Sequence, residues 1–435
     1  MERFALSRMK EWNENENRKP LIIRGARQVG KTWIMKTFGQ QYFEKTAYVN
    51  FDNNARMKQV FEGDLDIERL VLSISAETGV SIEAENTLII FDEVQEVPKA
   101  LTSLKYFYEN APQYAIVAAG SLLGVALHQG TSFPVGKVDF LDLYPLNFRE
   151  FLCAMGEKQF VSMLDSCDTQ MVTVFKTKYI ERLREYYFVG GMPEVVKDFS
   201  EKKDYNRVRA IQKNLINYYQ QDFSKHAEIK LVPRLNLVWN SIPMQLAKEN
   251  KKYIYGQVRE GSRAKDFELA IQWLLDCGLI HKVQRIQKPD LPLKAYIDFD
   301  AFKLFLVDIG LLIAMTDLDA KVIIEGNKIF TEFKGSLTEQ YILQQLISDV
   351  GVIPYYYSTQ NSKGEIDFLV QGKTSVIPIE VKAEENLKAK SLKAFCEKYQ
   401  PSYAVRTSMS DYREQDWMTN IPLYAIKWIE NYVNQ

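Results

Sequence analysis

The chain has 435 residues, 46% of them hydrophobic and 26% charged, with a formal net charge of −1. That much apolar material supports more than one core, and the near-neutral balance excludes a global basic field, so any contact with DNA needs a local patch. Cys153, Cys167, Cys277 and Cys396 form no CxxC and His128, His226 and His281 lie far apart, which argues against a disulfide frame or a Cys/His metal site and for reduced thiols in the cytoplasm.

Residues 1–20 are amphipathic and charged, unlike a secretory signal, and the spacing of Phe4, Leu6, Met9 and Trp12 predicts a helix over 3–12. A polar hinge, Asn13-Glu14-Asn15-Glu16-Asn17, leads to an apolar strand, Leu21-Ile22-Ile23. Then comes Gly25-Ala26-Arg27-Gln28-Val29-Gly30-Lys31-Thr32, followed by a helical pattern through Trp33, Ile34, Met35 and Phe38. Strand, GxxxxGK[ST] and helix in that order form a phosphate-binding loop: the glycines let the backbone N–H groups approach an anion at a helix N-terminus. Lys31 is the expected partner of the β/γ-phosphates of ATP, and Thr32 of Mg²⁺.

A second strand is predicted over 46–51 and a helical region over 56–78. Thr87-Leu88-Ile89-Ile90-Phe91 reads as a buried parallel strand ending in Asp92-Glu93. Ligands of open α/β sheets lie beyond the carboxyl ends of the strands, which gives Asp92 the role of Mg²⁺ ligand and Glu93 that of water-polarising base. Alone, such a pair also reads as a helix cap. Further strands are expected over 114–121, with Ser121 at the carboxyl end, and over 138–143, and the lack of an [NT]KxD motif favours ATP over GTP.

Gly-Ala-Arg-Gln-Val-Gly-Lys-Thr (25–32), Ile-Ile-Phe-Asp-Glu-Val-Gln (89–95) and Tyr-Pro-Leu-Asn-Phe-Arg-Glu-Phe (144–151) resemble a group of prokaryotic AAA-superfamily P-loop ATPases that carry a C-terminal domain of unknown function. Phe188-Val189-Gly190-Gly191-Met192-Pro193-Glu194 resembles the same group's Gly-Gly-x-Pro-Glu segment. The resemblance implies an AAA+-like fold, ATP binding and a three-part layout. It also implies a γ-phosphate sensor at Ser121, although a plain Gly-Ser turn explains that residue equally well. The group often has arginine where Gly136-Lys137 stands here; lysine lacks the bidentate fork, and Arg149 is the substitute candidate, read also as an ordinary helix arginine.

Residues 148–198 read as helix-rich and broken at Gly190-Gly191, with a charged connector over 200–204 and a helix over 211–225. A helix over 264–278 running into a strand to 283 is how a winged-helix unit finishes; Arg259, Arg263 and Lys265 near its start suit DNA, while such units also bind proteins. The apolar run over 301–315 holds Lys303 and Asp308 and is too short and charged to span a bilayer.

In the last part, helix 335–350 carries Glu339, and strands are predicted over 352–358, 363–370 and 376–382, then a helix over 390–398 and a strand over 403–407. If the turn between the second and third strands centres near Lys373-Thr374, Asp367 lies opposite Glu380, with Cβ atoms about 5 Å apart. Two facing carboxylates call for a proton or a cation, Mg²⁺ being the natural occupant, and Lys382 shares their face. Pro378 suggests an edge strand or a bulge. With Glu339 this D…ExK pattern resembles the PD-(D/E)xK nuclease superfamily, which implies a restriction-endonuclease-like α/β fold.

The sequence is thus read as α/β: an AAA-type P-loop ATPase domain over 1–150, a helical and winged-helix region over 151–325, and a nuclease-like domain over 326–435. The expected function is an ATPase coupled to a Mg²⁺-dependent nuclease acting on nucleic acid, DNA first. The alternative is a signalling or scaffold switch that binds DNA or a protein partner without cleaving. An oligomer is left open, and no membrane is expected.

Overall fold

The computed structural model describes residues 2–120, 133–248, 251–325, 331–359, 364–384 and 389–435. Contacts divide it into two compact units, one of residues 2–144 with 276–279, the other of residues 145–275 with 280–435.

The first unit is built on five strands, β1 (Leu21–Arg24), β2 (Lys45–Asn50), β3 (Thr87–Asp92), β4 (Ala115–Ala119) and β5 (Asp139–Asp142). All pairings are parallel, in the order β2-β3-β4-β1-β5. β3 and β4 are buried along their whole length, which is why they read as continuous apolar runs and not as alternating ones. Phe51, Phe61 and Phe91 pack edge to face, with centroids 5.4–5.6 Å apart, and anchor one side of the core. Two helices, Ala55–Glu62 and Ile67–Thr78, stand where one helical region was expected. Asn54 and Asp66 each cap a helix start through the side chain, so the apolar pattern restarts at the second cap.

The second unit holds β6 (Ile280–Ile286), β7 (Ile297–Leu306), β8 (Tyr355–Ser358), β9 (Glu365–Gln371), β10 (Val376–Val381), β11 (Val405–Ser408), β12 (Arg413–Gln415) and β13 (Met418–Pro422). They form one sheet, in the order β12-β13-β11-β10-β9-β8-β6-β7. A division at residue 326 therefore cuts this sheet: β6 pairs in parallel with β8, through Arg285↔Tyr356 and Ile286↔Tyr357. β10 is an interior strand, against the edge position that Pro378 suggested; its ladder to β11 begins only at Ile379, one residue past the missing N–H.

The helix expected over 211–225 is Tyr205–His226, started by Asp204, which accepts N–H bonds from Asn206 and Arg207. The apolar run 301–315 splits into the end of β7 and a helix, Ile309–Met315, capped by Asp308. The buried Asp308 carboxylate accepts from Gly191 N (2.6 Å), Leu311 N (3.1 Å) and Gln344 Nε2 (3.3 Å). This explains the Gly-Gly turn: at Gly190, with φ 74°, a Cβ would come 2.2 Å from Asp308 Oδ1, and at Gly191 2.1 Å from the Leu146 carbonyl. Among the described residues no helix is long and apolar enough to cross a membrane, and no disulfide joins the cysteines.

Candidate nucleotide site and carboxylate cluster

β1 lies between β4 and β5, so the loop that leaves its carboxyl end opens where neighbouring strands diverge in sequence order. The loop backbone is bent as its glycines require, with Gly25 at φ 148° and Gly30 at φ 95°. A Cβ on Gly25 would meet the Leu143 carbonyl oxygen at 2.1 Å. Gly30 ends the loop, and helix Lys31–Tyr42 follows. Arg3, at the start of the chain, donates to the carbonyls of Val29 (3.0 Å) and Tyr144 (2.6 Å) and braces the loop from outside. Gly278 packs in this unit too: at φ 69° its missing Cβ leaves room 3.1 Å from Ala26 N.

Lys31 is 6% exposed and its Nζ donates to the Gly25 (2.9 Å) and Ala26 (2.8 Å) carbonyls. Burial pulls its pKa down to about 8, against the pull of Glu93 and Asp92. Thr32 Oγ1 donates to Asp92 Oδ2 at 2.7 Å, and Tyr48 Oη donates to the same oxygen at 2.9 Å. Glu93 follows in the left-handed region, φ 52° and ψ 44°, and Gln95 Nε2 holds its Oε2 at 2.7 Å. A non-glycine residue held there is strained, a common property of functional turns. Gly25, Gly30, Lys31, Thr32, Asp92 and Glu93 thus belong to one locus, together with Ala26, Arg27, Gln28 and Val29 of the same loop. The glycine cradle, the lysine and the Thr32–Asp92 pair fit Mg²⁺ and the phosphates of a nucleotide. Ser121 lies outside the described residues. Lys137 pairs with Glu109 at 3.0 Å, and Arg149 with Asp165 and with Asp349 (2.9 Å), so both arginine-finger candidates hold carboxylate partners.

In the second unit, the register Ile379↔Phe368 extended by one residue sets Glu380 across from Asp367, and Asp367 Oδ2 accepts the Val381 N–H at 2.7 Å. Glu339, from helix Thr331–Gln345, shares a side-chain hydrogen bond with Asp367. Burial, then Glu339 and Glu380, hold the Asp367 carboxyl well above the usual range. Lys382 Nζ donates to Glu380 Oε1 at 2.6 Å. The four residues expected from the D…ExK pattern therefore do converge. Three others join them. Lys251 bonds to Glu339, and Lys303, wholly buried, bonds to Glu365 and lies 3.7 Å from Glu339 Oε2. Glu380 Oε2 is buried with no hydrogen-bond partner. Among the described residues no group of three or more His, Cys, Asp and Glu side chains is arranged to hold a metal ion. Ammonium groups thus stand among the acids where a cation was expected, bonded to Glu339, Glu365 and Glu380, and the cluster as it stands does not have the arrangement of a divalent-metal site.

Sequence reasoning missed Tyr48, Gln95, Lys251, Lys303 and Glu365. The one available signal was Lys303, a charge inside an apolar run. Arg259, Arg263 and Lys265 are exposed around the start of helix Ala264–Asp276, interleaved with Glu260 and Asp266.

Residues 17–152 match the model of an AAA domain. This segment is an AAA-type P-loop domain. Residues 180–322 and 334–426 match two domains of unknown function, DUF8612 and DUF4143. No curated protein matches the chain. Solved structures similar to it include the Walker-type ATPase PABY2304 of Pyrococcus abyssi (15% identity, 72% of this chain and 95% of that one, TM-score 0.44). Others are the Aeropyrum pernix ORC1 protein in complex with DNA (13%, 72% and 91%, TM-score 0.27) and Cdc6p of Pyrobaculum aerophilum (10%, 74% and 93%, TM-score 0.24).

Proposed function

We propose that the chain is a Mg²⁺-dependent ATPase that works as a switch in the cytoplasm. The observation that carries this reading is the 2.7 Å bond from Thr32 Oγ1 to Asp92 Oδ2, which joins the loop threonine to the acid at the end of β3. Lys31 is the residue to hold the β/γ-phosphates, Thr32 and Asp92 those to hold Mg²⁺, and Glu93 the one to orient and deprotonate water. Mg²⁺·ATP supplies the phosphoanhydride bond and the charge that its hydrolysis redistributes. Gln95 keeps the Glu93 carboxylate in place. The test is binding of a fluorescent ATP analogue together with phosphate release. Lys31→Ala abolishes binding, and Glu93→Gln keeps binding while slowing release on the order of a hundredfold. Wild-type hydrolysis in Lys31→Ala would sink the assignment.

The nucleic-acid reading belongs to the second unit. The order helix Val232–Leu246, helix Tyr255–Val258, helix Ala264–Asp276, β6 and β7 supports a winged-helix element, and exposed Arg259, Arg263 and Lys265 supply a local basic patch on a nearly neutral chain. The convergence of Glu339, Asp367, Glu380 and Lys382 supports a nuclease-like fold built on the sheet of β6 to β13, while lysine occupancy of the cluster favours binding of DNA without cleavage. DNA retention that falls with salt and is lost in Arg259→Ala/Arg263→Ala, with plasmid left uncut in Mg²⁺, is the expected result.

A further inference from the structure

Three ammonium groups and four carboxylates meet around Asp367, and the ammoniums take the acids' oxygens one by one. Glu339 Oε1 is bonded by Lys251 and its Oε2 is approached by Lys303 at 3.7 Å. Glu365 Oε1 is bonded by Lys303. Glu380 Oε1 is bonded by Lys382 at 2.6 Å, and Asp367 Oδ2 by the Val381 N–H. Mg²⁺ and its analogues need several oxygens around one point. Two carboxylate oxygens of the cluster, Glu339 Oε2 and Glu380 Oε2, are buried without a hydrogen-bond partner, and the first of them has the Lys303 ammonium at 3.7 Å. Lys303 is the group that makes this arrangement permanent. It sits on β7 at 0% exposure, opposite Val283 in the stretch where residues 302–306 pair with 280–284 of β6, so its backbone is held by the ladder and its side chain is shut off from solvent. A buried ammonium persists only where carboxylates surround it.

We infer that Lys303 is the resident cation of this cluster, standing where the D…ExK layout would otherwise take a divalent metal. The cluster is then a metal-independent polar core that ties β7, β9, β10 and helix Thr331–Gln345 together. It gives the second unit the acids of a nuclease and no metal with which to cut. The inference is separate from the ATPase reading, since none of these residues belongs to the nucleotide site.

The test is a Mn²⁺ titration of the full-length protein without nucleotide, read by electron paramagnetic resonance. It is run in an Asp92→Asn background so that the P-loop carboxylate does not contribute. Up to about 1 mM Mn²⁺, a range that covers weak protein sites, the background protein is expected to immobilise no ion. Lys303→Met in that background is expected to gain a stoichiometric Mn²⁺ that a further Asp367→Asn removes. A stoichiometric Mn²⁺ already present with Lys303 intact and lost in Asp367→Asn would overturn the inference. So would a folded Lys303→Met that gains none. Should Lys303→Met fail to fold, the titration with Lys303 intact decides the question by itself.

Discussion

Asp308 should make the second unit less stable as pH rises from about 4 to 6. Burial raises its folded-state pKa to about 6 from an ordinary 3.8, despite hydrogen bonds from Gly191, Leu311, Gln344 and Gly310. In that window the folded chain keeps a proton that the unfolded chain has released. The stabilisation is therefore full below the unfolded pKa and lost as pH rises through the folded one. The difference, 6 − 3.8, is about 2 units, or about 3 kcal/mol between the two ends. Asp349 is raised to about 6 as well and acts in the same direction, so the wild type alone cannot assign the effect. Asp308→Asn isolates it. Urea denaturation of both proteins across pH 4 to 7 should show the wild type losing up to about 3 kcal/mol relative to the variant. Identical pH slopes would refute the reasoning. The Asn variant should also lose stability at every pH, because its amide donor faces N–H groups where an acceptor stood.

Other expectations follow from single contacts. Gly25→Ala should abolish nucleotide binding with little change in the fold of the second unit, since the added Cβ meets the Leu143 carbonyl at 2.1 Å; a fluorescent-nucleotide titration checks it, and unchanged affinity would contradict it. Tyr48→Phe removes one of two hydroxyl donors on Asp92 Oδ2. A bond to a charged acceptor is worth about 1.5 kcal/mol at a half-exposed site, so the Mg²⁺ concentration for half-maximal hydrolysis should shift roughly tenfold, with metal-free nucleotide affinity unchanged. Gly190→Ala should lower the urea midpoint sharply, because both the positive φ and the 2.2 Å approach to Asp308 Oδ1 forbid a side chain; a midpoint within error of wild type would refute this.

Local chemistry made the nucleotide site legible. A glycine-bounded loop between an apolar strand and a helix admits few other meanings, and Asp92 and Glu93 announce themselves by ending an unbroken apolar run. The hairpin of β9 and β10 was legible for a related reason: a short turn sets the register, and the register sets Asp367 against Glu380. What tertiary structure decided was every partner distant in sequence. Tyr48 reaches Asp92 because β2 and β3 lie side by side. Lys303 enters the carboxylate cluster because β6 and β7 join a sheet otherwise formed by residues after 350. Strand pairing across such separations leaves no periodicity in the chain, and a lysine in an apolar run looks the same whether it meets water or three acids. Whether the D…ExK acids face a metal or an ammonium is therefore settled by packing alone.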